Sequence, residues 1–344
     1  MGVLMNITEL PSDDLIAVYR TYEYVMFIAT TLIVGYTLAI MLLTSLKSLS
    51  NYKWYLIHGI VWGYSFDSLG ALIGAITLFP LPCYYGVNAA GSLRGSSQVL
   101  YFFIGFNCAM GKILAVFLQF EHRFQQALPL DSWYRKKLDF LHGKYEVHYR
   151  IALYIILGAS INAPVFISLP NQVEQRQLLS DMDPVLAYIY QQHPTTSCFS
   201  SGTESWVVRI TVLWLLVVVM TEVFLLSFIY SSIHRLKLSV NTYRLQVMLF
   251  WSLVAQMAGL FVFIMAPGLV YLGGATLGVR NMPTISVFCF AFFISHTGID
   301  CLMVLFFIKP YRNVVLRNFG ILHRSSRAWE PTSIAPNHGI KVVH

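Results

Sequence analysis

Residues 287–312, VFCFAFFISHTGIDCLMVLFFIKPYR, constrain the fold of this chain more than any other stretch. An apolar run of this length predicts a membrane-spanning helix, because only an internally hydrogen-bonded helix satisfies its backbone in hydrocarbon. The run is interrupted by His296 and Asp300, which are four residues apart and therefore share a helix face. Since ionisable groups are costly in lipid, we expect this face to point into a protein bundle. Pro310 then ends or kinks the helix.

The composition of the whole chain fits this interpretation. Only 11% of residues are charged and 56% are apolar, whereas about 25% charged residues are usual in soluble domains. Seven apolar stretches exceed the ~18 residues that separate a spanning helix from a buried helix of a soluble protein. Their predicted bounds are 24–46, 55–79, 99–120, 151–169, 206–230, 245–272 and 282–308. The predicted fold is all-α: a polytopic membrane protein with a seven-transmembrane helix bundle.

Loop charges predict the orientation of this bundle. Seventeen of the 23 Lys and Arg residues lie in the loops and tail on one side of the predicted membrane, and four lie on the other. By the positive-inside rule, residues 1–23 are extracellular, residues 24–308 form the membrane domain, and residues 309–344 form a cytoplasmic tail. The triplet at Asn6 is then a glycosylation acceptor on the outer side. We assign the net charge of +7 to loops that face an anionic membrane surface and expect no nucleic-acid partner.

Four ionisable side chains lie deep in the predicted spans. Counted from the cytoplasmic ends at ~1.5 Å per residue, Asp67 is roughly 18 Å deep. Lys112, Asp300 and Glu222 are roughly 12–14 Å deep on the same count. Asp67, Lys112 and Asp300 therefore fall in neighbouring layers, where a lysine beside carboxylates keeps its charge. Two interpretations stay open: a polar switch whose pairing differs between two states, which also includes His296, or a static ion pair that fixes helix register.

Other residues predict the two ends of the bundle. At the inner end, Glu121 and Arg123 are either a charged interfacial helix end or an ion pair that opens when a partner binds. At the outer end, aromatic side chains form either an interfacial belt or the lining of a pocket for a small, largely apolar ligand. The candidate pocket residues are Tyr101, Phe102, Phe106, Tyr271 and Arg209. Arg209 either binds an anion there or extends to the lipid headgroups.

The cysteines and the remaining chemistry give narrower expectations. Cys83 and Cys198 both fall on the predicted outer side, where oxidising conditions permit a disulfide. The other three cysteines lie within spans and are expected to pack as small side chains. No CxxC spacing, metal-ligand pattern or nucleophile with a base is evident, so we expect no metal, no cofactor and no enzymatic activity.

Several short motifs resemble the nematode serpentine chemoreceptors, most closely class h. The last span reads His296-Thr297-Gly298 before the KPYR block, where the family has H-G-x-x-S-T-x-x-M followed by K-P-Y-R. Glu121-His122-Arg123 is similar to the family's Glu-Asn-Arg, Asp67 to its aspartate in the second span, and 170–172 to its Pro-Asp-Gln. Here Asp300 and Cys301 stand where the family usually has Ser and Thr.

The resemblance implies a G-protein-coupled receptor in the plasma membrane of sensory cilia. Such a receptor detects a small environmental molecule or pheromone and activates a heterotrimeric G protein. Pro310, Tyr311 and Arg312, with Glu121 and Arg123, would then lie on the G-protein side. The segment around Arg312 and Phe319 is predicted to form a short interfacial helix.

A ligand-gated ion channel or a small-molecule transporter is the alternative function, because charges within the membrane also mark ion pathways. A seven-span channel of inverted topology places its N-terminus in the cytosol. The loop charges oppose that topology.

Overall fold

A computed structural model gives the architecture. It describes residues 7–44, 52–79, 81, 83–92, 96–127, 145–167, 169–182, 184–199, 201–235 and 240–321. Asn6, the glycosylation candidate, lies outside these residues. The protein is a helix bundle, and each of the seven predicted apolar stretches contains a long helix. The spanning helices are α1 (Asp13–Leu43), α2 (Tyr52–Ile73), α3 (Ser96–Ala127), α4 (Glu146–Ile167), α7 (Ser201–Arg235), α8 (Val240–Leu260) continued by α9 (Ala266–Thr276), and α10 (Met282–Phe307).

Length and hydropathy support membrane crossing for six of these helices within the described residues. They are α1, α2, α3, α7, α10 and the continuous α8–α9 unit. The helix of the fourth predicted stretch, α4, is not among the six, but it has 22 residues and packs between α3 and α7. The prediction of an all-α seven-helix bundle is confirmed.

The helix ends differ from the predicted span bounds at several places, and two of these differences have a clear local cause. The first helix begins at Asp13 rather than at residue 24, and the Ser12 hydroxyl caps it by accepting from the Leu15 N–H at 3.3 Å. The first turns of this helix are polar, so a prediction based on the length of the apolar run does not include them. The second helix ends at Ile73 rather than at residue 79. Gly74 follows it with φ of +57°, the left-handed conformation that commonly ends a helix at a glycine.

A small sheet covers one end of the bundle. Strand β1 (Ala75–Thr77) pairs antiparallel with β2 (Cys83–Gly86), which pairs antiparallel with β3 (Ser197–Cys198). The long loop between the fourth and fifth spans supplies β3 and two short helices, α5 (Gln172–Met182) and α6 (Pro184–Gln192). We call the end of the bundle that carries these elements the cap end.

The opposite end, called the tail end here, is organised by the KPYR block. Helix α10 ends at Phe307, and α11 (Lys309–Asn318) begins at once with Pro310 in its first turn. Tyr311 is buried in a core cluster with residues of α1, α2, α8 and α10. Burial raises the pKa of Tyr311 to about 12, so its hydroxyl stays neutral. The proline thus starts a new helix, and the tyrosine holds that helix against the bundle.

The sixth span is continuous but not regular. A π-helical turn, Phe261–Met265, joins α8 to α9, and Pro267 lies in the first turn of α9. Proline lacks an N–H and clashes with the preceding turn, which accounts for a local change of helix type. Gly259, two residues before this turn, lies against the Met303 side chain of α10, and a Cβ at Gly259 would be 3.1 Å from Cε of Met303.

Candidate functional site

Two buried residues of opposite charge form an ion pair between α3 and α10. Lys112 on α3 donates from Nζ to Oδ2 of Asp300 on α10 at 2.5 Å, and the two side chains are 2% and 6% exposed. Gln256 on α8 donates from Nε2 to the other carboxylate oxygen at 3.1 Å. The pair therefore connects the third, sixth and seventh spans, and its amide partner satisfies the second oxygen of Asp300.

Glycines on α2 make room for the buried lysine. A Cβ at Gly59 would lie 3.9 Å from Nζ of Lys112, and a Cβ at Gly63 would lie 3.5 Å from its Cδ. The two glycines are four residues apart and so share the face of α2 that packs on α3. Because they carry no side chain, the lysine stem runs along the helix backbone and its ammonium reaches Asp300.

Asp67 lies beside this pair but has a different partner. Its Oδ2 accepts from the backbone N–H of Thr297 on α10 at 3.0 Å, and its Oδ1 has no hydrogen-bond partner within the described part of the chain. His296 is buried next to Thr297 and its Nδ1 is likewise unpartnered there. The layer predicted from helix depth is therefore present, and the direct partner of Lys112 is Asp300.

Glu222 is not part of this network. It is 1% exposed on α7, and the structure shows no hydrogen bond from it to Lys112 or to either aspartate. Its Oε1 has no hydrogen-bond partner among the described residues. Glu222 is thus a separate buried carboxyl of α7.

The charged triplet at the end of α3 meets three different surfaces. Glu121 accepts a hydrogen bond from Tyr149 of α4 at 3.1 Å. His122 stacks on Tyr55 of α2, with ring centroids 4.5 Å apart. The third residue, Arg123, is buried and lies over the Tyr52 ring at 3.7 Å. The suggested ion pair between Glu121 and Arg123 is therefore not the contact that this structure contains.

The tail-end residues of the KPYR block differ in exposure. Arg312 lies over the Phe306 ring at 5.8 Å and donates to the Phe306 carbonyl at 3.5 Å. Tyr311 faces the core, as described above. The two basic side chains of the block, Lys309 and Arg312, are exposed and partly exposed, whereas Tyr311 is buried.

An aromatic cluster occupies the cap half of the bundle. Tyr271 contacts Phe79 with ring centroids 5.2 Å apart and Phe290 at 5.6 Å. Phe293 continues the cluster, at 5.6 Å from Phe290 and 6.3 Å from Phe66 of α2. We call these five residues the aromatic cluster. Of the predicted pocket residues, the structure brings Tyr271 into it.

The other predicted pocket residues lie elsewhere. Tyr101 and Phe106 are partly buried on α3, and Phe106 packs against the core shared by α3, α7 and α8. Arg209 is exposed on α7. Phe102 belongs to α3, and its side chain lies outside the described part of the chain.

At the cap end, Cys83 and Cys198 form a disulfide. It links β2 to β3 and therefore ties the loop with α5 and α6 to the hairpin that follows α2. Cys108, Cys289 and Cys301 are free and buried. Among the described residues no group of three or more His, Cys, Asp or Glu side chains is placed to hold a metal ion.

Comparison with known proteins identifies the architecture. The family model described as the serpentine-type 7TM GPCR chemoreceptor Srh matches residues 15–321. The chain belongs to this chemoreceptor family. The matched residues include all seven spans and α11. The resemblance to class h that the short motifs indicated is therefore confirmed. The family is one of G-protein-coupled receptors of the plasma membrane rather than of enzymes.

A solved structure supports the same fold. The crystal structure of squid rhodopsin matches with a TM-score of 0.56 at 13% sequence identity. The alignment covers 93% of this receptor and 92% of the rhodopsin chain. At this identity the match shows the seven-helix fold alone. No protein in a search of curated sequences matches the receptor.

Several site residues of the serpentine receptor were not predicted from sequence. Gln256 is an amide in the middle of an apolar span, and that position was a usable signal for an interior polar partner. Thr297 contributes a backbone group, which no side-chain pattern reveals. The phenylalanines of the aromatic cluster were hidden among the 24 phenylalanines of the chain.

Proposed function

We propose that the receptor detects a small, largely apolar molecule from outside the cell and activates a heterotrimeric G protein inside it. In this proposal the cap end is extracellular, the tail end is cytoplasmic, and the ligand binds at the aromatic cluster. The observation that carries the proposal is the continuity of α10, which holds Phe293, Thr297 and Asp300 at successive turns. Ligand contacts and the buried ion pair therefore act on one helix.

The proposed mechanism is a population shift between two arrangements of the bundle. A ligand that packs against Phe290 and Phe293 displaces or rotates the outer part of α10. The Thr297 N–H and Asp300 move with that helix, which changes their contacts with Asp67 and Lys112. Because Gln256 connects the same ion pair to α8, the sixth span responds as well.

The G-protein side is then the tail end. The partly exposed Arg312 and the buried Arg123 supply positive charge there, and the sequences that join these helices are rich in Lys and Arg. We further propose that the receptor resides in the sensory cilium and carries a glycan at Asn6. A glycan at that position requires the N-terminus to have been outside the cytosol.

A paired-variant assay tests this function. Cells expressing the receptor with each Gα class are exposed to a chemical panel while second messengers and membrane currents are recorded. Once an active compound is found, Phe290→Ala should lower its potency about tenfold, equivalent to ~1.4 kcal/mol. Phe288→Ala is the matched control, because Phe288 lies on the same helix with 55% of its surface exposed.

Two results would overturn the proposal. Ligand-evoked currents in cells without functional G protein would favour the ion-channel alternative. Loss of potency in Phe288→Ala but not in Phe290→Ala would place the ligand outside the bundle. Orientation has its own matched test. If Asn6 carries a glycan, the receptor should have a larger apparent mass than its Asn6→Gln variant. Treatment with a glycosidase should remove this difference in mass.

A further inference from the structure

A second buried carboxyl lies at the cap end, in α1. Glu23 is 0% exposed, and its Oε2 accepts a short hydrogen bond from the side-chain amide of Asn88. Tyr19, one turn earlier on α1, faces the same carboxyl. The other carboxyl oxygen of Glu23 and the amide oxygen of Asn88 have no hydrogen-bond partner among the described residues. Two buried oxygen atoms of this cluster therefore have no assigned donor in the described part of the chain, where the Tyr19 hydroxyl donates to the Ala75 carbonyl.

The end of α2 makes this position unfavourable for a negative charge. The Asn88 amide also donates to the Ala71 carbonyl at 2.7 Å, and its backbone N–H donates to the Ile73 carbonyl at 3.2 Å. These carbonyls form the C-terminus of α2, which carries the negative end of the helix dipole. A Cβ at Gly74 would lie 2.8 Å from Oε2 of Glu23, so the carboxyl sits directly against this helix end.

No described cation compensates the carboxyl. The titratable group that faces Glu23 in the described part of the chain is Tyr19, and α2 and the loop after β2 contribute only neutral atoms. Helix α10, which also packs on α1, presents the hydroxyl of Ser295 to the neighbouring Tyr22. A buried carboxylate with neutral donors at a helix C-terminus is strongly disfavoured, whereas a carboxylic acid is not. A proton on the second oxygen also turns that oxygen into a donor.

We propose that Glu23 is a binding site for an external proton, and that proton release weakens the attachment of the cap to α1. The attachment has two parts: the contact of Glu23 with Asn88, and the hydrogen bond from Tyr19 to the Ala75 carbonyl of β1 at 3.4 Å. Strand β1 belongs to the sheet that the Cys83–Cys198 disulfide ties to the outer loop. A charge on Glu23 repels the carbonyl end of α2 and so loosens this junction.

One other titratable group at the cap end needs a control. His193 stacks on Tyr85 of β2 with ring centroids 4.0 Å apart. Burial lowers the pKa of His193, and the charge of Asp13 acts against this shift. A lowered folded-state pKa means that His193 opposes folding at acid pH, which is the reverse of the effect proposed for Glu23.

The test uses the purified full-length receptor without ligand in lipid nanodiscs, so it does not depend on the proposed ligand or G protein. Infrared difference spectra between acid and alkaline pH should contain the carbonyl stretch of a carboxylic acid that loses its proton. Because Asp67 and Glu222 are also buried carboxyls, the assignment to Glu23 rests on one component of this band, which should be absent from Glu23→Gln and present in Glu222→Gln and His193→Gln. The melting temperature of the wild type should fall by about 3 °C as the pH rises, a shift within reach of one titrating group in a protein of this size. Glu23→Gln should remove this fall.

A second variant covers the case in which Glu23→Gln does not fold, and two results would refute the proposal. If Glu23→Gln does not fold, Glu23→Asp should shift the pH midpoint of the infrared band, because it keeps the acid and alters its contacts. A Glu23 band that stays unchanged at every pH at which the receptor is folded would make the residue a permanently neutral structural acid. Stabilisation by sodium at constant pH, lost in Glu23→Gln, would make the site one for a metal cation. Either result refutes the proton site.

Discussion

Replacement of Lys112 by methionine tests how much the buried ion pair contributes. Methionine keeps the unbranched stem that fits beside Gly59 and Gly63 but removes the ammonium. Asp300 is then left with Gln256 as its hydrogen-bond donor. Loss of one partner of a buried pair typically costs about 3–5 kcal/mol, because the remaining charge is buried without compensation. Asp300→Asn should cost a similar amount, since it leaves the ammonium alone.

The double variant Lys112→Met/Asp300→Asn should recover most of this loss. It removes both charges, and the asparagine oxygen still accepts from Gln256. Replacement of a whole buried pair by neutral residues is often close to neutral in free energy. The coupling free energy should therefore be about 3 kcal/mol or more, well above the ~0.5 kcal/mol within which independent sites add.

Thermal unfolding in nanodiscs, together with surface expression and basal signalling, measures this coupling. The matched control is Lys112→Met combined with Asp67→Asn, because Asp67 accepts from the Thr297 N–H rather than from the ammonium. That pair should be coupled less than Lys112 and Asp300. Strict additivity of Lys112→Met and Asp300→Asn would show that the two charges do not stabilise each other, and the reasoning from the 2.5 Å contact would be refuted.

Two further variants test packing and the cap. Gly111→Ala should lower the free energy of unfolding by about 1–3 kcal/mol, because the added Cβ would overlap the Trp62 ring. Gly105→Ala is the control and should be tolerated, because the space around Gly105 is open. Equal effects of the two changes in a thermal-shift assay would contradict this prediction. Cys83→Ser should reduce surface delivery as much as the double variant Cys83→Ser/Cys198→Ser, because either change removes the Cys83–Cys198 disulfide. A much larger loss in the double variant would show that each cysteine acts separately.

The contact between Lys112 and Asp300 was predictable because helix depth follows from residue count. Three apolar spans of known direction place their charges at calculable heights, and unlike charges at one height in a bundle are expected to pair. Depth does not give rotation about the helix axis. The choice between Asp67 and Asp300 as the partner of Lys112 depends on that rotation, so the sequence left both open.

The failure of the suggested Glu121–Arg123 pair has a simple geometric cause. Residues two apart on a helix point in directions about 160° apart when each residue turns the helix by roughly 100°, so their side chains do not meet. The sequence spacing alone was sufficient to disfavour this pair. The structure instead directs Glu121 to α4 and Arg123 to α2.

The cap was the least predictable part of the fold. Its strands are two to four residues long, too short for an alternating pattern to be recognised. Their register is instead fixed by contacts that are distant in the chain. Cys83 pairs with Cys198 across β2 and β3, and the Thr77 N–H donates to Ser286 of α10 at 3.4 Å. Local sequence carries no signal for such contacts.

From the surroundings of the ion pair, we propose a switch rather than a static pair. A pair that only fixed helix register would be expected to have its polar neighbours satisfied, because a partly satisfied buried network is costly. Around this pair, Oδ1 of Asp67, Oγ1 of Thr297, Nδ1 of His296 and Oε1 of Gln256 have no hydrogen-bond partner among the described residues. Each such atom typically costs about 1–3 kcal/mol. His296 and Thr297 belong to α10, and Asp67 and Gln256 each form a hydrogen bond to that helix. A movement of α10 therefore changes the surroundings of all four groups. A receptor that responds to a ligand requires a second arrangement of similar free energy.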